Sequence, residues 1–269
     1  MTNIQLIATD LDGTFLSSDK SFDKALFRTV LKTLARNKIQ LVIATGVHQE
    51  RINRLLSDFL DVGLSYVTNN GARVTTSEGK IIFEKTLPLD TLKAVQKLLA
   101  TFPVKPSRGL VYSTDDTAYV PREYVDVMTA ARRQYFKKVI LFDDVSEINA
   151  PIFKVTMNWH NFDETKFYDA ARQQLGQHVH VTETGTGAVD IVPAGINKAV
   201  GLKILADDMG ISMANIAAFG DGANDLEMLL AVGHPFLMPT AHITGPFESV
   251  MADNDHAGVL KTILKMIDN

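Results

Sequence analysis

The sequence predicts an α/β fold, a Rossmann-like parallel-sheet core carrying an inserted α+β cap domain. Three observations predict it. Short, β-rich apolar runs alternate with helical patterns at the start of the chain. In the middle the pattern changes to hairpin-spaced strands mixed with helices. At the C-terminal end the first pattern returns.

The elements follow in order. "IQLIAT" (Ile4 to Thr9) is a short apolar run of β-formers and reads as a buried strand. From Phe22 to Asn37, the residues Leu26, Phe27, Val30, Leu31 and Leu34 recur at helical spacing. "IQLVIAT" (Ile39 to Thr45) is a second buried strand, "HQERINRLLSDF" a second helix, and "LSYVT" (Leu64 to Thr68) a third strand. This βαβαβ succession argues for parallel strands with right-handed crossovers.

"ARVTTSEGKIIFEK" then reads as a hairpin turning at Glu78-Gly79. A helix over Leu89 to Thr101 precedes the short strands "GLVYST", "AYV", "KVILF" and "IFKVTMNW", with helices near Arg122 to Gln134 and Asp163 to Leu175. "HVHVTE" and "AVDIV" close this region. Such mixing implies an antiparallel sheet. The return consists of a helix from Asn197 to Met209, the strand "IAAF", a helix from Asp225 to Ala231, a strand in "HPFLMP" and a last helix from Gly258 to Ile267. The expected division is therefore 1–82 and 189–269 for the core, with 83–188 inserted as the cap.

Composition narrows the function. The 269 residues are 46% hydrophobic, enough for a packed core, and the net charge of -4 lacks the basic excess of a nucleic-acid binder. With no cysteine, thiolate nucleophiles, disulfides and cysteine zinc sites are excluded. Neither a signal-peptide pattern nor a membrane-length apolar run is found, so a cytoplasmic protein with no membrane partner is expected. Monomer and dimer both remain open.

Ligands of open parallel sheets bind beyond the carboxyl ends of the strands. Four polar clusters fall there: Asp10 and Asp12, Thr45-Gly46, Asn69-Asn70-Gly71, and "GDGAND" (Gly220 to Asp225). Asp and Gly also form turns, and Asn224 or Asp225 could simply cap a helix, but neither reading accounts for Asp221. The carboxylates of Asp10, Asp12, Asp221 and Asp225 gathered at one edge would repel one another without a cation. An oxygen-only donor set suits a hard ion, Mg²⁺. For Asp10 and Asp12 to serve one site, the chain must bend after Leu11, which Gly13 permits. One carboxylate could then attack while the other handles protons. The Thr45 hydroxyl and the amides that follow it form a modest phosphate cradle. Lys198, at a helix start, is either a solvated lysine or a cation shared by a phosphate and the attacking carboxylate.

"DLDGT", the Thr of "ATG", a helix-start Lys and "GDGAND", in this order, resemble the haloacid dehalogenase-like hydrolase superfamily. The long insert and the form "GDGANDLEML" are similar to its Cof-type branch of sugar-phosphate phosphatases with a large α/β cap. The resemblance implies that Asp10 is the nucleophile forming an aspartyl-phosphate, and that Asp12 is the acid that protonates the leaving alcohol and then activates water. Thr45, Gly46, Lys198 and Asn224 would bind the phosphoryl group, and Asn70 would lie near the substrate. Asp10, the Asp12 carbonyl and Asp221 would hold Mg²⁺, with Asp225 in support. The implied substrates are small phosphorylated metabolites.

Three departures touch the substrate side. Val47 stands where Arg is common, "MPTA" (Met238 to Ala241) replaces a "GNA"-like segment, and Asn197 and Ala199 flank Lys198 where Ser and Gly are usual. An arginine that could bind a second anionic group is thereby missing.

In the cap, "ETGTGA" (Glu183 to Ala188) is a hinge candidate that reads more simply as a hairpin turn. Arg108, Arg122, Arg132 and Arg133 are possible anion contacts, although most arginines are solvated. His178 and His180 belong on the polar face of a strand, and Trp159 in the core or on a cap platform. The competing functions are a phosphotransferase or phosphomutase using the same intermediate, and a non-catalytic sensor of phosphorylated ligands. A dinucleotide oxidoreductase is disfavoured because "DLDGT", not G-x-G-x-x-G, follows the first strand.

Overall fold

The computed structural model describes residues 4–160, 164–184 and 187–268. The chain divides into two compact units. The first comprises 1–46, 58–83 and 197–269, and the second 47–57 and 84–196.

The first unit is built on an eight-stranded sheet ordered β14-β13-β12-β1-β2-β3-β4-β5. Its strands are β1 (Leu6–Thr9), β2 (Gln40–Ala44), β3 (Ser65–Thr68), β4 (Arg73–Thr75), β5 (Ile81–Glu84), β12 (Ile216–Gly220), β13 (His234–Leu237) and β14 (Glu248–Ser249). β2 and β12 flank β1 in parallel, with Thr9 opposite both Ile43 and Phe219. Leu6, Ile7, Ala8, Val42, Ile43 and Ala44 are fully buried. Burial on both faces explains why these strands read as unbroken apolar runs instead of alternating ones.

The helices of this unit are α1 (Lys24–Asn37), α6 (Lys198–Asp208), α7 (Leu226–Ala231) and α8 (Gly258–Asp268). The Asp23 side chain caps α1 by accepting from the amides of Ala25 and Leu26, and Lys38 closes it in the left-handed conformation. Phe27, Val30 and Leu34 form its buried face. α6 starts where the Asn197 side chain accepts from the Val200 amide. Its buried Leu202, Leu205 and Ala206 join Leu6, Ala8, Val42 and Ala218 in one core cluster.

The second unit holds a six-stranded sheet ordered β10-β11-β9-β6-β7-β8. Its strands are β6 (Gly109–Ser113), β7 (Thr117–Pro121), β8 (Lys138–Phe142), β9 (Lys154–Asn158), β10 (Val179–Glu183) and β11 (Ala188–Pro193). Helices α2 (Gln49–Leu55), α3 (Leu89–Thr101), α4 (Ala130–Arg133) and α5 (Glu164–Leu175) complete it. Trp159 lies in its apolar core, tilted against Phe167 at 5.2 Å between ring centroids.

Three features differ from the sequence expectations. β7 and β8 pair in parallel, so the sheet is not wholly antiparallel. The helix expected over Arg122 to Gln134 is broken: a 3-10 turn spans Arg122–Tyr124, and Thr129, extended, caps a short α4 by accepting from the Arg132 amide. The extended backbone of Thr129, with its side chain committed as a cap, starts a new helix there in place of one continuing from Arg122. Lastly, α2 belongs to the second unit, where His48 Nε2 donates to the Tyr135 carbonyl at 2.9 Å and Glu50 pairs with Lys137 at 3.1 Å. Of the expected elements, Gly185 and Thr186 in "ETGTGA" and Asp163 at a helix start lie outside the described residues.

Candidate active site

β1 ends at Thr9, and the next residue is Asp10. Its amide is still on the ladder, donating to the Phe219 carbonyl at 3.0 Å, so the neighbouring strand β12 fixes the position of Asp10. The chain then turns away. Gly13 makes the bend with φ of 88°, and a Cβ there would collide with the Asp221 carboxylate. Asp221 directly follows β12. Adjacent strand ends therefore deliver Asp10 and Asp221, at sequence positions 10 and 221, to one edge of the sheet.

Lys198 joins them from the first residue of α6. The side chain is fully buried, and its Nζ lies 2.7 Å from Asp10 Oδ1 and 2.6 Å from Asp225 Oδ1. The other oxygen of Asp225 accepts from the amides of Asp221 and Gly222, both at 3.0 Å. Asp225 thus locks the loop after β12 to the lysine. Asp10, Asp221 and Asp225 each offer an oxygen, and these oxygens lie within 4.8 Å of one another, the spacing of a metal-binding trio. Three carboxylates and one ammonium leave a formal charge of -2 in a buried place, which a divalent cation would neutralise. The all-oxygen donor set fits a hard ion.

The electrostatics follow from this crowding. Burial pushes the Asp10 carboxyl up to about 7; Lys198 opposes the rise while Asp225 and Asp221 add to it. Asp221 is raised by burial and by Asp225, and the hydrogen bond from Thr14 opposes that shift. Lys198 sits above its ordinary value: burial alone would lower it, but the two carboxylates more than offset that.

The remaining strand ends supply polar backbone and amides. The Thr45 amide donates to the Val67 carbonyl at 2.8 Å, and the Thr45 carbonyl accepts from the Asn70 amide at 3.0 Å, which ties the end of β2 to the turn after β3. Gly46 runs beside the Asn70 side chain. In that turn, Asn69, Asn70 and Gly71 are successively left-handed, with φ of 51°, 56° and 95°. Asparagine tolerates the left-handed region better than most residues with a side chain, and such positions cluster at functional sites. Asn70 Oδ1 accepts from Asn224 Nδ2 at 3.1 Å, so the loops after β3 and β12 meet.

Within the first unit, the structure brings together Asp10, Lys198, Asp221 and Asp225, and separately pairs Asn70 with Asn224. Asp12 is not in the trio. Its carboxylate pairs with Lys20 at 2.9 Å. Thr14 is a site residue that the sequence reading missed: its hydroxyl donates to Asp221 Oδ1 at 2.7 Å. The signal was present as the last letter of "DLDGT". His48, beside the departing Val47, is buried among second-unit groups, stacked on Phe136 at 4.6 Å between centroids.

The strand ends of this α/β core bring three carboxylates together, two of them on one buried lysine, which is the make-up of an enzyme site. The match to a family model fixes which kind: residues 7–263 match the haloacid dehalogenase-like hydrolases, and the chain belongs to that family. It is similar to the 5-amino-6-(5-phospho-D-ribitylamino)uracil phosphatase YbjI of Escherichia coli K12, with 29% identity over 98% of this chain and 97% of that one. It is also similar to the HMP-PP phosphatase of E. coli, with 29% identity over 88% of this chain and 85% of the relative. Among solved structures, SMU.1108c of Streptococcus mutans UA159 shares the fold at a TM-score of 0.88 and 23% identity, covering 99% of this chain and all of that one. The resemblance to the Cof-type branch is borne out, and the chain is an enzyme of the family's phosphatase class. No helix among the described residues is long and apolar enough to cross a membrane.

Proposed function

We propose that this enzyme hydrolyses small phosphomonoesters, with sugar phosphates the favoured class, by way of an aspartyl-phosphate on Asp10 and with Mg²⁺ as cofactor. One observation carries the reading: Lys198 bridges Asp10 and Asp225 while Asp221 completes a metal-spaced trio at the ends of β1 and β12. The E. coli relatives, whose names give them small phosphorylated compounds as substrates, support the substrate class.

In the first half-reaction, a carboxylate oxygen of Asp10 attacks phosphorus, and the bond from phosphorus to the leaving oxygen breaks. Asp12 gives its proton to that oxygen and an alcohol departs. In the second, water attacks the phosphorus, Asp12 takes its proton, and the bond to Asp10 breaks to release inorganic phosphate. Lys198 holds Asp10 in place and balances charge on the phosphoryl oxygens, together with the Thr45 hydroxyl and the Gly46 amide. Asn224 and Asn70, already paired, line the phosphate and substrate side. Asp10, the Asp12 carbonyl and Asp221 would hold the cation. Asp225, with both oxygens engaged, supports it through Lys198 and the loop amides. When bound, Mg²⁺ would neutralise the carboxylates and the phosphoryl charge. The first unit is the catalytic core, and the second is the inserted cap domain.

Phosphate release from a panel of phosphorylated sugars, nucleotides and cofactors tests the reading, with Mg²⁺ and with EDTA. Acid quench and mass analysis of the peptide containing Asp10 complete the test. Mg²⁺-dependent release with a phosphorylated Asp10 peptide is expected. Transfer to a second sugar in preference to water would make the enzyme a phosphotransferase. No turnover by folded protein would leave a sensor, and Asp10→Asn keeping most of the activity would refute the nucleophile.

A further inference from the structure

The ion pair between Asp12 and Lys20 joins an exposed lysine, 47% accessible, to a half-buried carboxylate, 34% accessible. Lys20 is itself left-handed, with φ of 65°, in a tight loop that follows the Asp12 turn. The loop is fixed from three sides. The Leu16 amide donates to the Leu11 carbonyl at 2.8 Å, so the segment doubles back on β1's exit. Ser17 and Ser21 close the loop: the Ser17 amide donates to the Ser21 carbonyl at 2.9 Å, and the Lys20 amide to the Ser17 carbonyl at 2.9 Å. The Asp19 carboxylate accepts from both serine hydroxyls inside it, at 2.5 and 2.7 Å. From outside, the segment before α8 holds it, where Asp255 accepts from the Ser18 amide at 2.6 Å and Asn254 Nδ2 donates to the Leu16 carbonyl at 2.9 Å. The backbone that carries Lys20 is thus fixed beside the Asp12 turn, and a left-handed lysine in such a loop is a reason to look for a role in the group it touches.

We propose that Lys20 is a positioning residue for Asp12, fixing the direction of the carboxylate that serves the leaving group. The inference rests on Asp12 being the acid and base of the reaction. Exposed ion pairs contribute little stability, so the pair's value lies in orientation: an acid must lie within hydrogen-bond reach of the departing oxygen, and a pinned carboxylate reaches one direction reproducibly. The charge on Lys20 is spent on Asp12 and not on the trio, whose own lysine is Lys198.

The test exploits the leaving group. An alkyl phosphate needs a proton on its departing oxygen, whereas p-nitrophenyl phosphate releases a stable anion without one. Lys20→Asn removes the ammonium and suits the left-handed backbone, so folding is not at issue. Its kcat/KM is expected to fall about tenfold on the best alkyl phosphate, a fraction of the roughly 10²–10⁴-fold that a placed acid supplies. On p-nitrophenyl phosphate the change should be less than about twofold, and Lys20→Arg should restore the alkyl rate. Asp12→Asn is the control, expected to show the same selectivity more strongly. If Asp12→Asn is selective but Lys20→Asn is not, or if Lys20→Asn speeds the alkyl substrate, the positioning role is overturned alone. If Asp12→Asn slows both substrates equally, the acid assignment falls and the role of Lys20 falls with it.

Discussion

Replacing Lys198 with Met tests the electrostatic centre of the site. The side chain is completely buried and donates at 2.7 Å to Asp10 and at 2.6 Å to Asp225, whose own side chain is also fully buried. Met matches the length of the aliphatic stem, so packing changes little and the charge is the main loss. Two buried carboxylates would then face Asp221 without their cation. Removing one partner of a buried pair costs about 3–5 kcal/mol. For a chain of this size, that corresponds to a Tm lowered by roughly 6–20 °C.

Urea unfolding in EDTA measures this loss, since bound metal would add its own linkage. Two variants calibrate it. Lys203→Met breaks a pair whose side chains are 60% and 62% exposed, and should cost less than about 1 kcal/mol. Lys198→Met with Asp225→Asn removes charge from both sides and should regain much of the single-variant loss. A Lys198→Met protein within about 1 kcal/mol of wild type, or a double variant no better than the single one, would refute the buried-charge reasoning. Turnover of Lys198→Met should fall roughly 10²–10³-fold, as for loss of one preorganised group at a developing charge.

Other perturbations probe the supports. Thr14→Val removes the 2.7 Å hydrogen bond to Asp221 and should raise the Mg²⁺ concentration for half-activity about tenfold, with the rate at saturating metal little changed. In Gly71→Ala, a Cβ at φ of 95° would collide with the Asn197 carbonyl, so a loss of about 2 kcal/mol or more in urea unfolding is expected, together with lower kcat as Lys198 shifts. Burial holds the His48 imidazole down at about 3, against an ordinary value of 6.5, with the hydrogen bond to the Tyr135 carbonyl opposing the shift. The unfolded chain therefore binds the extra proton between these values. Stability is full above pH 6.5 and falls with pH toward 3, at up to about 1.4 kcal/mol per unit. His48→Phe should flatten the pH 5–6.5 slope of urea stability, and an unchanged slope would assign it to other groups.

Much of the core was legible because parallel strands buried on both faces leave a plain mark. β1, β2 and β12 are continuous apolar runs, each followed at once by its polar cluster. Once three such runs alternate with helices, handed crossovers bring their carboxyl ends to one edge, which puts Asp10 and Asp221 on the same side of the sheet; that β12 lies directly beside β1 is shown by the strand pairing. The second unit was legible as a change of rhythm, though the parallel pairing of β7 with β8 was not. Alternation reports which face a residue takes and carries nothing about strand direction.

What stayed hidden depends on partners far apart in the chain. The sequence offers Lys198 as a helix-start lysine, for which solvation is the default; its complete burial follows only from Asp10 and Asp225 arriving on other elements. The sequence marked α2 as a helix, but a helix does not name what it packs against; it buries Ile52 and joins the segment around Tyr135 through His48, Arg51 and Arg54. Lys20 is the extreme case. In the string "SSDKS" nothing separates it from a solvated loop residue, and its pairing with Asp12 exists only because the chain doubles back through Leu16 and is held there by Asn254 and Asp255. In each case the chemistry of the side chain was readable and its charge environment was not, because that environment is made by groups the local sequence does not contain.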